Sequence, residues 1–409
     1  MPFVILTFPF YSDYTLSVLE RTMSLPDTRV ALITHEPEAG LPERIRTRLQ
    51  GHWEIPDIRD TKVLFQAVES LQDRAGQRVD HFFSPAEHCQ TPAAQVRERL
   101  GLPGLSSEIT LNYRDKVRMK DLFDRAGVPC ARHARACHDS EAWAFASRVG
   151  YPIVLKPVDG AASQTTVRVD NPDALRDALP GLHISDQNQF VLEEFLTGEE
   201  HSIDAFWHRG ERLFHTVTDY HPSCLEVMQT SWIQWVVILP REVEDPMYDD
   251  IREISRRAHE ALGMDSGMTH TEWFRRPDGT VAISEIGARP PGAQFTTLIS
   301  RAGGWDALTA WARLMVFDEI QVPTEVKYAA GIAYLRGQGQ GTRVQAVHGW
   351  DRVWQEINGL ITDYKIPPIG EKKSLTYEGE GFIIARHPET KVVEDALKWA
   401  VSQIRVDLG

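Results

Sequence analysis

Glu272 and Glu285 lie on two strand-like runs, 268–275 and 280–286, that flank the dipeptide Asp278-Gly279. An Asp-Gly pair between such runs is the strongest short-range sign of a two-residue hairpin turn. With those two residues as the turn, Arg275 faces Ala282, Trp273 faces Ser284 and Glu272 faces Glu285. Directly opposed side chains have Cβ atoms about 5 Å apart, and like charges placed there repel. A cation between them removes the conflict, and Mg²⁺ is commonly held by one or two carboxylates plus substrate phosphates. Arg289, a little beyond Glu285, adds a guanidinium able to meet an anionic substrate beside such a metal. The hairpin alone would equally suit a solvated surface turn whose glutamates splay apart.

Other stretches carry matching chemistry. The strand-like run from Gly150 ends on Lys156 and leads through Gly160-Ala-Ala-Ser163-Gln-Thr-Thr into a second strand. Small side chains let backbone N–H groups approach an anion, and the lysine adds a point charge, so the pair can cradle phosphate. Its order is not that of a P-loop, which runs from loop to helix. The run from Gln189 through Glu193, Glu194 and Leu196 breaks at Thr197-Gly198 and resumes at Glu200. Such a crossing strand can offer backbone groups to a planar base and an acidic side chain to sugar hydroxyls. Taken singly, a solvated lysine and an exposed edge-strand glutamate account for these residues as well. Cys130, His133, Cys137 and His138 suggest zinc, but an extended strand points Cys130 and His133 to opposite faces, and the spacing is not a usual zinc spacing.

These residues need elements to hold them. From 1 to about 103, apolar runs at 3–8, 29–34, 53–58 and 79–84 alternate with helical spacing near 13–24, 41–50, 61–75 and 92–100. That alternation predicts a parallel sheet covered by helices, forming one wall of a cleft. No G-x-G-x-x-G follows the first strand, so nothing supports dinucleotide binding. A helix through Asp115-Lys116 stops at Gly127 and Pro129, a strand follows to about 136, and a helix runs from Ser140 to about Val149. Further strands are expected at 212–219 and 230–239, with helices at about 245–262 and 305–317. From 327 the chain reads as a separate small unit, with strands near 328–336, 342–348, 362–366 and 380–386 and a last helix at 389–403.

Bulk properties narrow the function. The chain has 409 residues, enough for two or three domains, with 42% hydrophobic and 25% charged residues as in soluble globular proteins. A net charge of -14 leaves no basic stripe for nucleic acid. The apolar N-terminus lacks a charged leader and cleavage site, no run of eighteen apolar residues spans a membrane, and four cysteines are too few for a disulfide framework. A cytoplasmic location is expected.

In order, the chain presents Lys116, Lys156 with its small-residue loop, E-x-x-L-x-G-x-E at Glu193, Leu196, Gly198 and Glu200, His-Thr-Glu ending at Glu272, and E-x-x-x-R at Glu285 and Arg289. Over roughly residues 105–320 this resembles the ATP-grasp superfamily, in particular its carboxylate-amine ligases that join amino acids. The resemblance implies a multidomain α/β and α+β protein: an N-terminal Rossmann-like domain over 1–104, a small lid subdomain over 105–190, a large subdomain with the metal site over 191–325, and a C-terminal α+β unit over 326–409.

It also implies roles. Lys116 and Lys156 would be the phosphate lysines, Gly160 and Ser163 part of a flap over the triphosphate, and Glu193 the partner of the adenine amino group. The backbone of Glu194 and Leu196 would complete the base site, and Glu200 would hold the ribose. Glu272 and Glu285 would bind Mg²⁺, with Mn²⁺ as a substitute, and Arg289 would steady an acyl phosphate or substrate carboxylate. His270, on the same strand face as Glu272, would bind substrate or act as a base, unless it is simply a hydrogen-bonded structural histidine. Expected partners are small carboxylates and amines, with no nucleic acid or membrane; a homodimer is compatible. The implied reaction is ADP-forming amide synthesis through an acyl phosphate. One departure stands out: Gly287 occupies a position where many relatives carry a metal-binding Asn. That keeps in view a nucleotide-binding regulatory protein with an impaired metal site; a bicarbonate-using carboxylase of the same fold is a second alternative.

Overall fold

The computed structural model describes residues 1–160, 166–230 and 232–409. The apolar runs at 3–8 and 29–34 become parallel strands buried on both faces, as a helix-covered sheet requires. Strands β1 (Phe3–Thr7), β2 (Arg29–Thr34), β3 (Gly51–Glu54) and β4 (His81–Phe83) lie side by side in the order β3-β2-β1-β4. The helix expected over 41–50 shrinks to the single turn Glu43–Arg46, leaving chain for β3 to start at Gly51.

A second, antiparallel sheet holds β5 (His133–Ala136), β6 (Ile153–Pro157), β7 (Val167–Val169) and β8 (Phe190–Glu194) in the order β5-β8-β6-β7. Helices Asp139–Val149 and Pro172–Leu182 bury Phe145, Leu175 and Leu179 in its core. This sheet lies in the region expected to form a lid, and it runs to Glu194, past the boundary expected at 190. Helices Ser107–Arg114 and Lys116–Ala126, expected within the lid, instead share a core with the large sheet through Tyr113, Met119, Phe123, Ile203 and Ile283. The second of them ends where the sequence places its end, on Gly127 at φ +64.

The large sheet begins with β9 (Glu199–His208), β10 (Glu211–His221), β11 (Trp235–Leu239), β12 (Gly267–Arg275) and β13 (Val281–Gly287). Later come β14 (Ala329–Leu335), β15 (Val344–His348), β16 (Ile361–Lys365), β17 (Gly381–His387) and β18 (Arg405–Leu408). The eight-stranded order β13-β12-β9-β10-β11-β14-β17-β16 shows that the region beyond 326 is not separate: β14, buried along its whole length, pairs with β11 so that Tyr334 faces Trp235. Only β15 and β18 stand apart, as a two-stranded pair. Cutting the chain at 325 would divide one sheet, and a pairing between strands so far apart in sequence leaves no local trace.

Candidate active site

The hairpin β12–β13 brings the two glutamates together by a different route from the expected one. Gly279 N–H donates to the Arg276 carbonyl at 2.9 Å and Arg276 N–H to the Thr280 carbonyl at 2.8 Å, so the loop has three residues, Pro277-Asp278-Gly279, with Gly279 at φ +83. Proline early in a turn and a left-handed glycine at its end favour this form. The outer pairs are therefore Arg275 with Val281 and Trp273 with Ile283, each one residue away from the expected Arg275–Ala282 and Trp273–Ser284. A β-bulge at Ser284 then absorbs the offset and restores Glu272 opposite Glu285. The bulge also leaves the Ser284 carbonyl to accept from Lys120 Nζ at 2.5 Å.

Basic side chains converge on this pair. Lys116 opens the helix Lys116–Ala126, whose N-cap Asp115 accepts from Val117 and Arg118 N–H and is itself held by Arg135 at 2.6 Å. Its Nζ lies 3.0 Å from Glu285 Oε1 and donates to the Gly160 carbonyl at 2.7 Å. Lys156, at the end of β6, places Nζ 3.0 Å from Glu193 Oε2. Burial would raise the Glu285 carboxyl, but Lys116, Lys156 and Arg114 bring it down to about 2. Burial would likewise lower the Lys156 ammonium, yet Glu193, Glu285 and Glu272 together raise it.

The nucleotide-side residues divide. Glu193 is buried, and although burial opposes ionisation, Lys120 and Lys156 hold its carboxyl below the usual range. Its Oε1 lies 3.4 Å from Lys120 Nζ but has no hydrogen-bond partner among the described residues, which leaves it able to accept from an amino group. The Glu194 carboxylate turns away to the Arg132 guanidinium at 2.6 Å, and its N–H donates to the Arg132 carbonyl at 2.9 Å. The N–H of Glu194 is thus spent within the protein. Leu196, Val154 and Phe274 line the cleft beside Gly160. Glu200 accepts from Cys224 N–H at 2.8 Å; burial and the neighbouring Glu272 push its carboxyl up to about 8. Ser163 lies outside the described residues.

His270 donates from Nδ1 to the fully buried carboxylate of Asp204 at 2.7 Å, with Glu272 3.7 Å from its other nitrogen. Burial would lower the ring, but Asp204 and Glu272 raise it to about 10. An imidazolium near neutral pH is a fixed cation, so the geometry favours binding an anion over acting as a base. Trp273, the residue after Glu272 on β12, is fully buried and stacked on His201 at 4.4 Å.

Arg289 donates from Nε to Glu87 Oε2 at 2.5 Å and from Nη1 to the Pro290 carbonyl at 3.0 Å. Glu87, from the N-terminal domain, also accepts from Arg114 at 3.1 Å. Sequence reasoning missed Glu87, Arg114, Asp204 and Lys120. Only Lys120 had a local signal, one helical turn beyond Lys116 on the same face. The strand around Cys130 starts only at His133, so the opposite-faces argument fails: Asp124, Cys130 and His133 bring donor atoms within 4.8 Å of one another. Each has a protein partner there, since His133 pairs with Asp121 at 3.1 Å and Cys130 with Asp124 at 3.7 Å.

The donor set fits Mg²⁺ and ATP: two opposed carboxylates for a hard cation, lysines able to turn from carboxylate to phosphate, and a buried acceptor with no hydrogen bond among the described residues. Residues 149–297 match the model of the ATP-grasp domain. The chain is 25% identical over 263 residues to an L-arginine-specific L-amino acid ligase of Bacillus subtilis, a match covering 62% of each chain. It is 26% identical over 236 residues to an alanine–anticapsin ligase of Bacillus subtilis strain 168, covering 53% of this chain and 49% of that one. The matches thus span about half to two thirds of these relatives. The crystal structure of an L-amino acid ligase from Bacillus licheniformis superposes with a TM-score of 0.80 at 19% identity, over 100% of this chain and 99% of that one, which establishes the fold.

Proposed function

We propose that this chain, a member of the ATP-grasp superfamily, is an ADP-forming ligase that joins a small carboxylate, an amino acid or similar acid, to an amine. The observation that carries this reading is the Glu272–Glu285 pair on a bulged hairpin, ringed by Lys116, Lys156, His270 and Arg289 in one cleft. Glu272 and Glu285 would hold Mg²⁺ or Mn²⁺, which supplies charge neutralisation at the transferring phosphoryl group. Lys116 and Lys156 bind phosphate oxygens, Glu193 takes the base amino group and Glu200 the ribose hydroxyls. The substrate carboxylate oxygen attacks the γ-phosphorus, the bond to ADP breaks, and an acyl phosphate forms. The amine then attacks the acyl carbon, phosphate leaves with the bond electrons, and the nitrogen loses a proton. The lid sheet β5–β8 excludes water that would otherwise hydrolyse the acyl phosphate.

Glu87 Oε2 sits beside Gly287, which supports reading that glycine as room for a carboxylate. The four cysteines are free, which suits our placement of the chain in the cytoplasm. The test is release of ADP and phosphate, with mass spectrometry of products, from purified protein given Mg²⁺, ATP and a panel of amino acids and other carboxylates paired with amines. No release across the panel, or AMP as product, defeats the ligase; turnover with bicarbonate as the sole acid identifies the carboxylase.

A further inference from the structure

Arg289 is held from outside the subdomain that carries it. Glu87 lies in the short turn Glu87–Cys89 after β4, only 8% exposed, and its two oxygens bind two guanidiniums, Arg289 on Oε2 and Arg114 on Oε1. Burial would raise the Glu87 carboxyl, and Arg289 and Arg114 bring it below its ordinary value, so the carboxylate is charged. Arg114 in turn donates to the Asp159 carbonyl, next to Gly160 at the start of the small-residue loop. From the same domain, the Tyr14 hydroxyl donates to the Pro290 carbonyl at 2.7 Å, fixing the backbone immediately after Arg289.

Gly287 belongs to this arrangement. Its backbone is not in the left-handed region, so conformation does not require glycine there. Space favours it: a Cβ on residue 287 would lie 3.1 Å from Glu87 Oε2, so the carboxylate would have to give by a few tenths of an ångström. With Nε on Glu87 and Nη1 on the Pro290 carbonyl, Nη2 is the guanidinium nitrogen with no hydrogen bond among the described residues.

We propose that Glu87 is the positioning residue for Arg289, and that glycine at 287 is the notch through which the N-terminal domain inserts this carboxylate to complete the phosphate end of the site. The assignment rests on the ligase reading. A planar fork anchored through Nε and Nη1 presents Nη2 in one orientation, whereas a free arginine would sample several rotamers. Glu87 itself touches no reacting atom.

The test uses the full chain with MgADP, with and without fluoroaluminate as a mimic of the transferring phosphoryl group, and reads the dissociation constant by calorimetry. In the wild type, fluoroaluminate should tighten MgADP binding; MgADP binding with no such gain overturns the assignment. Glu87→Gln should reduce that gain roughly tenfold or more, the scale of a charge-assisted hydrogen bond, with MgADP alone nearly unchanged. Arg289→Ala should lose the gain, and the double variant should lose nothing further. Gly287→Asn should reproduce Glu87→Gln by displacing the carboxylate; if Glu87→Gln does not fold, Gly287→Ala tests the same contact. A full gain in Glu87→Gln, or losses that add in the double variant, overturns the assignment. If wild-type protein binds no MgADP, the ligase reading fails first and this assignment falls with it.

Discussion

Replacing Asp204 by Asn tests whether His270 is a fixed cation. The carboxylate is fully buried, 2.7 Å from Nδ1, and is the leading group that raises the ring from 6.5 to about 10 against the opposing effect of burial. Asn keeps the size, and its amide oxygen can still accept from the Ser202 hydroxyl, so the fold should survive. The interval between 6.5 and about 10 corresponds to ~4–5 kcal/mol. Because the folded ring holds its proton more tightly than the unfolded one, this contribution is complete below about pH 6.5, declines as pH rises and is gone above about pH 10. At pH 8, ~2 kcal/mol of it has been lost. Wild-type stability from urea unfolding should therefore fall between pH 6.5 and 10, and the difference between Asp204→Asn and wild type should shrink over the same span. The ring Cε1 proton, followed by NMR, should titrate near pH 10 in wild type and near or below 6.5 in the variant. In turnover, the variant's KM for the acid should rise with pH where the wild type's stays flat. A wild-type ring that titrates near 6.5, or a stability difference independent of pH, would refute the reasoning.

Lys156→Ala and Glu285→Gln should each lower ADP release by at least ~100-fold, as expected for removing a group that stabilises a developing charge. Lys156→Ala should also cost ~1–3 kcal/mol in urea unfolding, because Glu193 keeps only Lys120 as its cation; near-normal rates in either variant would remove that residue from the site. Glu200, raised from 4.5 to about 8, holds a proton in the folded state that the unfolded chain gives up, so stability falls as pH climbs between those values. Glu200→Gln should flatten that slope and be the more stable protein at pH 8, measured by thermal melting at a series of pH values. Deleting Ser284 should leave Glu272 opposite Glu285 while removing the carbonyl that Lys120 binds. Mn²⁺ affinity, measured by electron paramagnetic resonance, should then hold within a few-fold while turnover falls; a collapse of Mn²⁺ binding would mean the bulge sets the register.

The lining of the cleft was legible wherever a residue's place depends on its own strand or helix. Lys116, Lys156, Glu272, Glu285 and Arg289 line one cleft: β12 and β13 carry the two glutamates, the end of β6 carries Lys156, the start of a helix carries Lys116, and Arg289 follows two residues after β13. The hairpin shows how little margin that legibility has. Reading Asp278-Gly279 as a two-residue turn placed every outer pair one residue off, and the Ser284 bulge, which has no sequence signature, cancelled the offset at Glu285. Local turn chemistry set the loop at three residues; the requirement that both acids share a face selected the bulge.

What could not be read is whatever crosses between domains. Glu87 reaches Arg289 from 202 positions away in sequence, and the chain beyond 326 extends a sheet begun at Glu199. In both cases the determining fact is a vacated volume or an unpaired edge on one segment that a remote segment fills. Gly287 makes the point most directly. As a sequence letter it looks like a missing metal ligand, while in the fold it is the room that lets Glu87 fix Arg289, so the apparent loss at one position and the gain at another are one structural event.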